Sequence, residues 1–288
     1  MNIIYIITSI VLILSYLLMK KDDKKYNIIH SIIISAIIFL TYNIFISTIM
    51  FFTYIKSTLL NLSILNIVFS IYPIHTIRKN KEIQKYYLNK IDLIAVIIIL
   101  VSTITIAILN YGTNIAVKHA VTDAATHYFA ADDFYRYSTL FSRESSDVTK
   151  WIDSPYLMTG AYVNTGIFFK LFPFTKSTPF LKFFIYFIFD ISIWVLSGLL
   201  MYIALSIDSK SKRHQILALV MTFFYILAYQ LNSLFAGFSY LGVGLDIIIG
   251  IIIIMKSQLK TKNKIACLFF LNLGMMFSYY YFAPVMFS

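Results

Sequence analysis

Asp123 and His127 stand four residues apart in the stretch TDAATHYFAADDFYRY, 122–137. On a helix that spacing makes their side chains neighbours. A carboxylate beside an imidazole suits a general base that takes the proton from an acceptor hydroxyl. The same pair suits a divalent metal, although two ligands alone do not define a site. The plainer reading of Asp123 is a charge satisfying the first amides of a helix, worth about 0.5–2 kcal/mol. At about 100° per residue, Asp132 lies roughly half a turn and Asp133 about a quarter turn around the helix from Asp123. One straight helix therefore cannot bring all four together, and Asp132–Asp133 must serve another contact. Downstream, Arg136, Arg143 and Lys150 can grip a phosphate, for which the planar guanidinium is best suited; alternatively they pair on the surface with Glu144 and Asp147. Trp151, Tyr156 and Tyr162 can stack on sugar rings or serve in an interfacial aromatic belt.

These residues occupy a polar island. The segment Tyr111–Lys176 holds six of the 13 acids: Asp123, Asp132, Asp133, Glu144, Asp147 and Asp153. Around it the chain of 288 residues is 59% apolar and 13% charged, with a mean hydropathy of +0.79. A soluble domain is nearer a quarter charged, and apolar runs of about 20 residues match the thickness of a bilayer. The sequence is therefore read as an all-α, multi-pass membrane bundle, because only helices and closed barrels satisfy their backbone groups in lipid. Eight spans are expected: Asn2–Met19, Asn27–Met50, Thr58–Ile74 (ended by Pro73), Ile91–Tyr111, Phe180–Ser206, Gln215–Asn232, Tyr240–Met255 and Ile265–Tyr281. Residues 121–141 contain no Pro or Gly and are expected to form an amphipathic helix lying along the outer membrane surface.

The net charge of +11 raises the question of nucleic acid, and its distribution answers it. Sixteen of the 24 basic residues fall in four short loops beside apolar spans: Lys20, Lys21, Lys24 and Lys25; Arg78, Lys79, Lys81, Lys85 and Lys90; Lys210, Lys212 and Arg213; Lys256, Lys260, Lys262 and Lys264. That is a positive-inside pattern facing anionic lipid, so the partner is the bilayer and not nucleic acid. Placing these loops in the cytoplasm puts the N-terminus and loop 111–176 outside. Asn2–Met19 has no basic n-region and no small-residue cleavage site, so no cleavable signal peptide is expected. Cys267 is the only cysteine and reads as packing. Two acids fall inside spans, Asp190 and Asp246, where charge is costly and marks a cavity, a partner or a polar pathway. Gly242 and Gly244 beside Asp246 read as close helix packing.

The placement of Asp123 at the start of a large outer loop, followed by the aromatic-rich stretch Trp151–Pro173 and further spans, resembles the GT-C class of membrane glycosyltransferases. The resemblance covers about 91–206. It divides the chain into N-terminal helices (1–90), a GT-C-like core (91–206) and C-terminal helices (207–288). It implies that Asp123 is the catalytic base, and that the donor is a sugar on a polyprenyl phosphate or diphosphate. The acceptor would be a glycan, lipid or protein of the cell envelope. His127, Asp132 or Asp133 would position acceptor, donor phosphate or a divalent metal. The family's catalytic loop usually follows its first span, whereas here it follows the fourth. Members usually have more spans, which leaves a partial product as an expectation. The chain has no P-loop, zinc-ligand or serine-elbow pattern, so no nucleotide cofactor is expected. The competing readings are a transporter or flippase for lipid-linked glycans, motivated by Asp190 and Asp246, and a non-catalytic membrane partner in envelope assembly.

Overall fold

A computed structural model describes residues 2–112, 124–139, 159–172, 179–207, 211–230 and 239–278. Asp123, Arg143, Trp151 and Tyr156 lie outside the described residues. Among the described residues ten α-helices follow in order: α1 (Asn2–Leu18), α2 (Ile28–Phe52), α3 (Leu59–Asn80), α4 (Lys90–Tyr111), α5 (Ala124–Tyr137), α6 (Thr159–Lys170), α7 (Pro179–Ser206), α8 (Lys212–Tyr225), α9 (Ser239–Lys256) and α10 (Thr261–Ser278). A π-helical turn, Ile226–Gln230, continues α8. Among the described residues, four helical stretches are long and apolar enough to cross a bilayer: Ile28–Phe52, Leu59–Asn80, Lys90–Tyr111 and Leu181–Ser206. Their outward faces are apolar, as with Ile64, Ile67, Val68 and Ile71 on α3, each more than half exposed. That is the make-up of an integral membrane protein, with lipid as the missing neighbour.

Local chemistry explains the helix starts. Asn27 caps α2 by accepting from the Ile29 amide at 3.0 Å, Asn89 caps α4 from the Ile91 amide at 3.0 Å, and Thr58 caps α3 from the Asn61 amide at 3.2 Å. One boundary differs from expectation. α3 does not stop at Pro73 but carries it inside the helix and runs on to Asn80. A proline costs a helix one backbone hydrogen bond, and neighbouring groups in membrane helices commonly compensate.

The contacts between helices fix their directions. Asn66 of α3 donates to Ser9 of α1 at 3.0 Å, and Tyr16 lies near Tyr72, so α1 and α3 run the same way. Gly242 of α9 packs on Ile193 and Trp194 of α7, and Lys256 reaches the Ala204 carbonyl at 3.2 Å, so α7 and α9 are also parallel. Tyr111 and Asp92, at opposite ends of α4, meet Phe187 and Tyr202 of α7, so α4 is antiparallel to it.

This arrangement gathers the described parts of the four basic loops at one end. There Lys20 pairs with Asp23 at 2.7 Å and with Glu82. Gln84 bridges the first two loops, donating to the Lys24 carbonyl at 2.7 Å and accepting from the Lys21 amide at 2.8 Å. Tyr26–Asn27 pairs with Tyr86–Tyr87 as a two-residue parallel ribbon, the one departure from helix among the named elements. Beneath it Asp92, fully buried, accepts from the Tyr202 hydroxyl at 2.6 Å and from Asn27, with His30 Nε2 at 3.2 Å. This buried acid ties α2, α4 and α7 together at the basic end.

The opposite end is filled by α5 and α6. His127 meets Tyr162, and Ala131 and Phe134 meet Gly166, so these two helices are parallel to each other. Gly160 of α6 packs against Ile44 of α2 and Phe277 of α10. Asn164 of α6 accepts from Asn43 of α2 at 3.1 Å. α5, which the sequence suggested as a helix along the outer membrane surface, is packed on one side against the rest of the chain. It buries His127, Tyr128, Ala131, Asp132 and Phe134 against α6 and α7, and shows Phe129, Asp133 and Arg136 on its exposed side.

Candidate functional site

The site is built on one face of α5. At about 100° per residue, His127, Ala131 and Phe134 fall on the stripe that meets α6, while Tyr128, Asp132 and Tyr135 fall on the stripe that meets α7. The α5–α6 contact is close because residue 166 is glycine: a Cβ there would lie 2.5 Å from Phe134 Cδ1 and 3.0 Å from the Ala131 carbonyl oxygen. That close approach brings the polar side chains of the two helices into register.

Near the start of α5, His127 is only 7% exposed. Its Nδ1 lies 2.6 Å from the Tyr162 hydroxyl, and its ring stacks on Tyr162 with centroids 5.7 Å apart. Tyr240, from the first turn of α9, closes the other side at 4.5 Å between centroids. An imidazole held between two phenol rings is oriented by packing and by its hydrogen bond to Tyr162, and can exchange a proton through its two ring nitrogens.

A turn further along α5, Asp132 is 3% exposed and forms a close ion pair with Lys182 of α7, itself 8% exposed. Arg136, one turn on, joins Asp132 from the exposed side at 2.6 Å. The Lys182 ammonium also lies over the Tyr135 ring, 3.8 Å from its centroid, and 5.4 Å from that of Phe169. Two cations thus share the Asp132 carboxylate beside an aromatic wall. Such a group is suited to an anion that can compete with Asp132 for Arg136 and Lys182.

Beyond it, Lys170 at the end of α6 donates to the Ser138 hydroxyl at 2.7 Å and to the Ser57 carbonyl at 3.3 Å, and lies 4.7 Å from the centre of the Phe134 ring. Burial pushes the Lys170 ammonium down to about 7. Ser57 in turn donates its amide to the Ser138 carbonyl at 2.6 Å, so the turn after α2 is fastened to the end of α5.

Of the residues the sequence offered for substrate binding, the structure gathers His127, Tyr162, Asp132 and Arg136 along α5 and α6. It separates Asp132 from Asp133, which lies on the exposed side. Arg136 finds its partner in Asp132, four residues earlier on its own helix. The suggested partners Glu144 and Asp147, and the suggested base Asp123, lie outside the described residues. Asp123 directly precedes Ala124, where α5 begins. Among the described residues no three His, Cys, Asp or Glu side chains converge, and Asp123, the suggested metal partner of His127, lies outside them.

Two contributors escaped the sequence reading, Lys182 and Tyr240. Lys182 sits in FLKFF at the start of a span, where a lone lysine ordinarily reaches for the interface; its burial against Asp132 is the work of tertiary packing. Asp190 and Asp246, the acids that the sequence placed inside spans, are both fully buried, and Gly242 does permit the close α7–α9 contact expected of it. Comparison with protein-family models, with curated proteins and with solved structures finds no match to this chain.

Proposed function

We propose that this protein transfers a sugar from a polyprenyl-phosphate donor to a cell-envelope acceptor, at a site formed by the start of α5 with α6, α7 and α9. The observation that carries this reading is the gathering of a buried aromatic–histidine group (His127, Tyr162, Tyr240) and a cationic group (Arg136, Lys182) around the helix that Asp123 directly precedes in sequence. In this reading the eight spans are α1–α4 and α7–α10, the basic end is cytoplasmic, and the site faces outward. Asp123 takes the proton of the acceptor hydroxyl. The hydroxyl oxygen bonds to the anomeric carbon as the bond from that carbon to the phosphate oxygen breaks. The polyprenyl phosphate leaves with its negative charge met by Arg136 and Lys182. Tyr162 and Tyr240, with Trp151 and Tyr156, offer ring faces to the sugar.

The test is Asp123→Asn, assayed for sugar transfer in membranes supplied with lipid-linked donors. Loss of a general base lowers turnover by about 10²–10⁴-fold. Unchanged turnover in folded protein removes the mechanism. The second reading, a transporter or flippase for the same lipid-linked class, is favoured by the complete burial of Asp190 and Asp246. It is chosen instead if lipid flux is lost on neutralising either of those acids and is indifferent to Asp123.

A further inference from the structure

One buried acid has no part in the site above. Asp246 lies on α9, six residues after Tyr240, and is fully buried. Three helices converge on it. α7 brings the Ser197 hydroxyl beside the Asp246 carboxyl. α8 brings the Tyr225 hydroxyl, 2.6 Å from Ser197 Oγ. Gly242, one turn before Asp246, allows the approach: a Cβ there would lie 2.9 Å from Ile193 and 3.4 Å from the Trp194 ring. Apart from the adjacent Ser197, neither carboxyl oxygen of Asp246 has a hydrogen-bond partner among the described residues. No described cation forms an ion pair with it.

The neighbours on the other sides are apolar or distant. One turn beyond Asp246, Gly250 meets Ile37 of α2 and Leu271 of α10. Among the described residues, the other titratable groups facing this interior are Tyr225 from α8 and Asp190, about two turns earlier on the α7 face that carries Ser197. Asp190 lies toward Tyr111 of α4.

An ionised carboxylate held in an apolar interior without a countercharge is strongly disfavoured. The site must therefore carry a small cation, and the hydroxyl neighbours show which. Ser197 and Tyr225 each both accept and donate one hydrogen bond, so the series Asp246–Ser197–Tyr225 can pass a proton hand to hand. Among the described residues it offers one carboxyl group and two hydroxyls, fewer oxygens than the six or so that a calcium or magnesium ion takes. Asp246 and Ser197 are fully buried, while Tyr225 is half-buried and stands where α8 widens into the π-helical turn Ile226–Gln230. Such turns recur at functional sites.

We propose that Asp246 is an intramembrane proton-binding site, loaded and unloaded through Ser197 and Tyr225. This does not rest on the glycosyl-transfer reading. It gives the chain a second chemical capacity, the exchange of one proton at the meeting point of α7, α8 and α9.

The experiment uses the full chain in lipid nanodiscs. Dicyclohexylcarbodiimide, an apolar reagent that reacts with protonated carboxyl groups, is added from about pH 5 to about pH 9, and the modified residue is identified by peptide mass spectrometry. The expected result is an adduct on Asp246 that declines as the pH rises and is absent from Asp246→Asn. Ser197→Ala is expected to slow hydrogen–deuterium exchange at the carboxyl, read by the isotope shift of its infrared carbonyl band. Wild-type protein alone suffices if Asp246→Asn does not fold. Protection of Asp246 by sodium at constant ionic strength assigns the site to a metal cation and overturns the proposal. So does the absence of both an adduct and a protonated-carboxyl band at every pH.

Discussion

At the scale of single residues, the Asp132–Lys182 pair dominates the α5–α7 contact. Both partners are almost wholly buried, whereas Arg136 is 62% exposed, so the two ion pairs of Asp132 are unequal. An exposed pair contributes up to about 1 kcal/mol, while removing one partner of a buried pair costs about 3–5 kcal/mol because the other charge is left alone. Asp132→Asn and Lys182→Met are each expected to destabilise the protein by the larger amount, and the double variant by much less than their sum. Arg136→Met is expected to cost under about 1 kcal/mol. A double-mutant cycle on detergent-solubilised protein reads all of these; additive losses for Asp132 and Lys182 would show that the pair does not exist.

Lys170 gives a pH dependence whose sign follows from its surroundings. Burial lowers it from the usual lysine value to about 7, so the folded protein resists protonation that the unfolded chain accepts. The resulting penalty is complete below about pH 7 and is relieved as the pH rises toward the ordinary lysine value of about 10.4. Thermal stability is therefore expected to climb across that window, and Lys170→Met to flatten the climb. A slope that survives in the variant belongs to another group.

At the scale of elements, Gly166 decides how near α5 and α6 can come. A leucine there has no space beside Phe134 and the Ala131 carbonyl. Overpacking of this kind costs about 1–3 kcal/mol, and here it also pulls His127 from Tyr162. On the proposed glycosyl-transfer function, Gly166→Leu is expected to lose sugar transfer while the spans remain assembled, which separates positioning of α5 from membrane folding. Activity at the wild-type level would mean that the α5–α6 register is irrelevant to the site. The helix itself was legible in the residues, since 121–141 lacks Pro and Gly. Its setting was not: the same alternation of Tyr, Ala and Asp suits a helix on a membrane surface as well as one between α6 and α7. Pro73 makes a similar point from the other side, being a local stop signal that its neighbours override.

At the scale of the whole molecule, charge is sorted along the bundle. Lys20, Lys21, Lys24, Lys85 and Lys256 stand at the end where Asp92 joins α2, α4 and α7, while α5 and α6 stand at the other. Cysteines introduced at Lys81 and Ser138 in a Cys267→Ser background are expected to react with a membrane-impermeant maleimide from opposite faces of intact vesicles. Labelling of both from one face would refute the proposed topology and, with it, an outward site.

The membrane character, the approximate places of the helices and the basic flanks were fixed by the sequence alone, because hydropathy, helix capping and charge are properties of neighbouring residues. The same local rules pointed to α5 as the carrier of His127, Asp132 and Arg136. Only the tertiary structure chose Asp132 over Asp133, supplied Lys182 and Tyr240 to them, and aligned Asp246 with Ser197 and Tyr225. Those choices depend on the rotation and register of one helix against another. Close contacts at Gly166 and Gly242 set them, and the spacing of residues along a single helix does not contain that information.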